Sequence, residues 1–146
     1  MKIAIGCDPN AQEAKEQIIE YIEKKGYGEV TDFGSTDPIY AHTAIQVAER
    51  VAAKEYDRGI LICGTGIGVS LAANKVKGAY AALVSDVYSA ERARLSNNAN
   101  IACMGAFTVG EKVREKMVDA FLTNEFDPNC PSQPKVEAFV EYDRAR

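Results

Sequence analysis

The stretch Arg58-Gly59-Ile60-Leu61-Ile62-Cys63-Gly64-Thr65-Gly66-Ile67-Gly68 decides the fold. Its first half, residues 58–63, is apolar enough for a strand buried on both faces, the mark of a parallel sheet covered by helices. Its second half sets Gly64, Gly66 and Gly68 at alternate positions, so the backbone turns sharply and its N–H groups point at one spot. A helix expected over 69–75 adds its positive N-terminal end to that spot. Such a nest suits an oxyanion, and the Cys63 thiol at its edge should be acidified by the same field.

Upstream, residues 2–7 read as a strand, and residues 11–25 carry Ala14, Ile18, Ile19 and Ile22 at helical spacing before Gly26. A second short strand is expected over 30–33, a loop over 34–40, and a helix over 41–54 with Ala44, Ile45, Val47, Ala48 and Val51 inward. Downstream, strands are expected over 79–84 and 101–104, with an arginine-rich helix over 87–95 between them. A long helix over 109–124 has Val113, Met117, Val118, Phe121 and Leu122 as its core stripe; 128–134 reads as irregular and 136–144 as a final short helix. Strand and helix thus alternate as βαβ units, which build a parallel sheet with helices over it. Ligands bind such sheets at the carboxyl ends of strands. Three places stand out on this reading: Cys7-Asp8, the loop from Cys63 to Gly68, and residues 96–100 before the fifth strand.

The chain has 146 residues, 47% hydrophobic and 26% charged, which fits one globular domain over 1–146. No apolar run approaches the roughly 18 residues of a membrane helix, and the N-terminus lacks a signal-peptide core. The net charge of −4 speaks against a nucleic-acid partner. Cys7, Cys63, Cys103 and Cys130 fit no secreted disulfide framework, and with His42 as the only histidine a zinc site is disfavoured. Reduced thiols and a cytoplasmic location are the expectation.

The Cys63 loop has the parts that aldose–ketose isomerisation requires: a base for the proton alpha to a carbonyl, and donors for the enediolate that results. Two other readings stay open at this level. One is a dinucleotide loop, although the glycine spacing and the position after the third strand are wrong for it. The other is a tight turn beside a buried cysteine. Asp8 could bind sugar hydroxyls or cap the next helix. The amide-rich 96–100 segment could orient a polyhydroxyl chain, though an ordinary turn is its default. Arg92 and Arg94 could bind phosphate or simply be solvated, and His42 reads as a surface or packing residue.

Several segments together resemble one family: Lys2-Ile3-Ala4-Ile5-Gly6-Cys7-Asp8, Asp32-Phe33-Gly34, residues 59–68, Ala72-Ala73-Asn74-Lys75-Val76-Lys77-Gly78, Tyr88-Ser89-Ala90, residues 97–100 and Gly105-Ala106. The family is that of type B ribose-5-phosphate isomerases and galactose-6-phosphate isomerase subunits. The resemblance implies a Rossmann-like α/β three-layer sandwich with a five-stranded parallel sheet. It implies a homodimer, sometimes paired into a tetramer, with sites at the subunit boundary, residues 127–146 packed on a neighbouring subunit, and no metal or organic cofactor. It assigns proton transfer to Cys63 and enediolate binding to the backbone of Gly64, Gly66, Ile67 and Gly68. Thr65, Asp8, Tyr40 and Asn97 match positions that contact the substrate or assist in opening it.

The chain departs from that pattern where the family opens a sugar ring and binds phosphate. Pro9 and Ser96 stand at two histidine positions, and Phe107 at an arginine position. In the C-terminal phosphate-binding region only Lys135 keeps a cation in place. Arg92, Arg94 and Lys135 are then the candidate phosphate cations. A tetrose 4-phosphate has its 4-oxygen esterified and cannot close a furanose, so it needs no ring opening. The expected substrate is therefore the erythrulose 4-phosphate/erythrose 4-phosphate pair, with ribose 5-phosphate/ribulose 5-phosphate beside it. A partner-dependent or non-catalytic sugar-phosphate-binding subunit and a thiol redox sensor are the rival readings.

Overall fold

The structure, a computed structural model, describes residues 1–34 and 36–146. Ser35, in the loop expected over 34–40, lies outside the described residues. The strands are β1 (Lys2–Cys7), β2 (Glu29–Asp32), β3 (Arg58–Cys63), β4 (Ala81–Leu83) and β5 (Ile101–Gly105). They form one sheet in the order β2-β1-β3-β5-β4, parallel at every pairing. The helices are α1 (Gln12–Lys25), α2 (Tyr40–Ala52), α3 (Ile67–Ala73), α4 (Val87–Leu95), α5 (Glu111–Leu122) and α6 (Gln133–Ala145).

Two-residue alternation along the strands sorts the core into two halves. Ile3, Ile5, Ile60, Ile62, Ala102 and Met104 face one side, where α1, α4 and α5 supply Ile18, Ile22, Ala90, Met117 and Phe121. Ala4, Leu61, Cys63, Ile101 and Cys103 face the other, against Ala44, Val47, Ala48 and Val51 of α2 and Val69 and Ala73 of α3. The sheet is thus the middle of three layers, as the family resemblance implied. All six positions of β3 are buried, which is why that segment read so clearly.

The strand order fixes where a site can form. From β1 the chain moves outward to β2, then returns across β1 to place β3 on its other side. The crevice between β1 and β3 is therefore the topological switch point, open at the carboxyl ends of both strands. Cys7-Asp8 and Cys63-Gly64 lie there, and the Asp8 N–H donates to the Ile62 carbonyl at 3.0 Å.

One expectation about a side chain does not hold. Val113 of α5 is exposed, and its neighbour Arg114 is buried instead. The Arg114 guanidinium turns under the β5–α5 turn, where backbone carbonyls receive it. The segment 127–146 packs on its own chain. Val136 is buried there, and Asp143 accepts from the Gly78 N–H at 2.8 Å and from the Tyr80 hydroxyl at 2.9 Å. Phe139 and Tyr142 remain on its exposed side. Among the described residues no helix is long and apolar enough to cross a membrane.

Candidate active site

Cys63 ends β3, and only 6% of it is exposed. The chain then rises through Gly64 and Thr65 to Gly66, which takes a left-handed conformation with φ +82° and forms the N-cap of α3. That conformation suits glycine, because it has no Cβ to collide with the backbone. It swings the Gly66 N–H back onto the Cys63 sulfur, at 3.0 Å. The Thr65 hydroxyl is exposed and accepts from the Ile67 N–H at 3.2 Å. One backbone donor of the loop thus meets the thiol, and the next is taken by the Thr65 hydroxyl.

The loop is held from three sides. Ala106 N–H donates to the Cys63 carbonyl at 2.8 Å, and Phe107 N–H to the Gly64 carbonyl at 3.0 Å. Tyr40, the first residue of α2, lays its ring and hydroxyl against Gly68, leaving no room there for any side chain. Asp8 follows β1 at the same end of the sheet. Its carboxylate accepts from the Asn10 N–H at 3.0 Å and so caps the short 3-10 turn Pro9–Ala11. The structure therefore brings together Cys63, Thr65, the 64–68 backbone, Tyr40 and Asp8.

The remaining candidates lie elsewhere. The 96–100 segment precedes β5 and so sits at the amino edge of the sheet, not at a carboxyl end. Asn100 O accepts from Gly59 N–H at 2.9 Å, at the start of β3. Five residue steps along β3 separate that edge from Cys63, about 16 Å. Asn98 has a positive φ of 52° and belongs to a turn. Asn100 staples the 78–80 segment, accepting from Tyr80 N–H at 2.8 Å and donating to Gly78 O at 3.0 Å. Asn97 is the exposed amide that these structural duties leave over.

Arg94 is a correction. It is only 4% exposed, and its guanidinium donates to Ala99 O at 2.6 Å, to Asn98 at 3.1 Å and to Glu125 at 3.2 Å. Arg58 shares the same Glu125 carboxylate. Arg94 thus welds the amino edge of the sheet and is not free to meet a phosphate. Arg92, in the last turn of α4, accepts at its carbonyl from the Asn97 N–H at 3.2 Å, and Lys135 is exposed near the start of α6. His42 is exposed and bonded to Asp37 at 2.9 Å, in keeping with a surface role.

The sequence reading missed Arg114 and Phe107 as parts of this region. Phe107 is 74% exposed, yet one edge of its ring, Cδ2 and Cε2, faces Gly64. Arg114 is 7% exposed and donates to the carbonyls of Ala106 and Val109 and, at 2.9 Å, to Gln17. Loss of the family arginine at position 107 was the available signal for the first; nothing local marks the second.

Comparison with known proteins defines the class. The ribose/galactose isomerase family model matches residues 3–139. A ribose-5-P isomerase B of Listeria innocua is 46% identical, over 99% of this chain and 98% of that one. The D-erythrulose-4-phosphate isomerase 2 of Mycolicibacterium smegmatis is 43% identical over 99% of both chains. Among solved structures, the ribose-5-phosphate isomerase B of Clostridium thermocellum superposes with a TM-score of 0.92 at 38% identity, covering 99% of each chain. An α/β sandwich with a glycine loop at its switch point is the class that the fold defines. The chain belongs to the ribose/galactose isomerase family. It is an enzyme that isomerises a phosphorylated sugar between aldose and ketose.

Proposed function

We propose that this chain interconverts the ketose and aldose forms of a tetrose 4-phosphate, with Cys63 as the base that moves the proton. The observation that carries the reading is the Gly66 N–H aimed at the Cys63 sulfur, 3.0 Å away, at the switch point of the sheet. The sulfur is held by that donor, and the same loop can receive an oxyanion. The open-chain substrate binds with its carbonyl oxygen over the 64–68 backbone and its hydroxyls toward Asp8. Cys63 takes the proton from the carbon alpha to the carbonyl. The C–H electron pair becomes the C1–C2 double bond, and negative charge collects on the former carbonyl oxygen. Cys63 then returns the proton to the neighbouring carbon. The Thr65 hydroxyl passes the hydroxyl proton between the two oxygens, and the carbonyl has moved by one carbon.

The tetrose assignment rests on what surrounds this machinery. Pro9 and Ser96 bring no imidazole for ring opening, and a 4-phosphorylated tetrose needs none. A relative named as a D-erythrulose-4-phosphate isomerase is 43% identical to this chain along its whole length.

The active unit is proposed to be a cytoplasmic homodimer. Ile67, Leu71, Leu83 and Tyr88 form an exposed apolar face along α3, the β4 edge and the start of α4. A two-fold axis across that face and perpendicular to the strands sets the amino edge of one copy beside the carboxyl edge of the other. Asn97, Arg92 and Lys135 of the second copy would then complete the Cys63 site, the cations meeting the phosphate. The test is a panel of tetrose, pentose and hexose phosphates under one condition. Erythrulose 4-phosphate should turn over fastest. A strong preference for ribose 5-phosphate, or turnover only after a different subunit is added, would overturn the proposal.

A further inference from the structure

The surroundings of the Cys63 loop offer a substrate chain a direction in which to run. Tyr40 closes the Gly68 side. Leu83 and the Met104 backbone pack closely behind Gly66. Beside Gly64 lies a cavity of about 240 Å3 between the 3-10 turn after β1 and the β5–α5 turn. Asn10, Glu13, Gln17, Phe107 and Arg114 line it. Phe107 stands at its entrance. A Cβ added to Gly64 would lie 3.0 Å and 3.1 Å from two carbons of the Phe107 ring, so ring and loop are already in contact.

An exposed phenyl ring is normally mobile, but the main chain of this one is clamped. Its N–H is bonded to Gly64 O, and the preceding Ala106 N–H to Cys63 O. From below, the buried Arg114 guanidinium donates to Ala106 O and Val109 O and anchors itself on Gln17. The turn 106–109 is therefore fastened to the reaction loop above and to α1 and α5 beneath. A wall fixed relative to the reacting carbons measures distance along the substrate.

We infer that Phe107 sets the length of sugar chain the site accepts, and that Arg114 is the positioning residue that keeps its ring in place. The inference rests on the isomerase reading of the Cys63 loop. With the carbonyl pinned at the loop, each additional carbon pushes the phosphorylated end one bond further into the ring. A single carbon against a fixed wall is worth about 1–3 kcal/mol, roughly a 10–200-fold discrimination.

The test compares kcat/KM for erythrulose 4-phosphate and ribose 5-phosphate in wild type, Phe107→Ala and Arg114→Lys. Phe107 is exposed, so its removal should leave the fold intact. In Phe107→Ala the pentose-to-tetrose ratio should rise by about tenfold or more. Arg114→Lys keeps the charge but cannot reach three acceptors, so the ratio should move the same way by less, mainly through KM for the tetrose. An unchanged ratio in Phe107→Ala, or equal losses on both sugars, overturns the role of Phe107. A lower melting temperature in Arg114→Lys with no change in ratio overturns that of Arg114. If the wild type itself prefers ribose 5-phosphate, the tetrose assignment fails, and the same variants read against a hexose 6-phosphate still decide the inference.

Discussion

Replacing Gly66 by Ala separates a working oxyanion loop from a mere tight turn. At φ +82°, Ala incurs the left-handed penalty, about 1–2 kcal/mol. Its new Cβ would also lie 2.9 Å and 3.0 Å from the Met104 carbonyl carbon and Cα, and 2.8 Å from a Leu83 methyl. Leu83 can swing away. Met104 cannot, because β5 is paired on both sides in the sheet. The loop must therefore give, and the N–H that now points at Cys63 leaves its line. That N–H supports the sulfur that moves the proton, and its loss should lower kcat by about 10²-fold, the scale on which positioned donors act in active sites. The melting temperature should fall by only roughly 2–8 °C for a chain of this size. Isomerisation followed by NMR, with a thermal melt on the same samples, measures both. Gly110→Ala is the control, since a Cβ at Gly110 meets nothing within 4 Å. If Gly66→Ala melts lower but keeps kcat within about threefold, the aligned N–H is not the source of the rate.

Other consequences are open to direct measurement. Cys63→Ala should fold normally yet lose exchange of the substrate's alpha proton with deuterated solvent; retained exchange would remove Cys63 from the base role. Asp143 is pulled in two directions: desolvation raises its pKa, but donors from Gly78, Arg146 and Tyr80 outweigh that and hold it below the usual carboxylate value. Its contribution is thus present above about pH 4 and lost as pH falls below it, so Asp143→Asn should flatten that acid limb of the stability curve. Tyr27 is pushed up to about 12, by burial first and by its hydrogen bond to Asp119 second. Its share of stability holds below about pH 10 and is lost as pH rises toward 12, and Tyr27→Phe should remove that alkaline dependence.

The fold was legible wherever burial alone shaped the sequence. Strand β3 and helix α4 fall on the expected residues, since every position of β3 is buried and Asp86 caps α4 through the Ser89 N–H. Helix α3 begins two residues earlier than its periodicity suggests, because exposed Ile67 and Leu71 blur the apolar stripe. Helix α6 begins at Gln133, with Pro134 in its first turn, where a missing N–H costs nothing. Arg114 was illegible: a charge inside the molecule is permitted by carbonyls far from it in sequence. The misplacement of 96–100 has another origin. An amide-rich composition carries no information about sheet edge, but chain order does, since a segment leading into a strand lies at its amino end.

The 16 Å that β3 sets between the amino edge of the sheet and Cys63 have a genetic consequence. If each site borrows Asn97 from the other copy, a Cys63→Ala chain still carries a sound Asn97, and an Asn97→Ala chain still carries a sound Cys63. Each variant alone is inactive. Mixed and allowed to exchange, half the dimers are hybrids, and in each hybrid one site regains both wild-type residues. About a quarter of wild-type activity should reappear from two dead proteins. Recovery of that kind reports on who lends a side chain to whom, and a self-sufficient subunit cannot produce it.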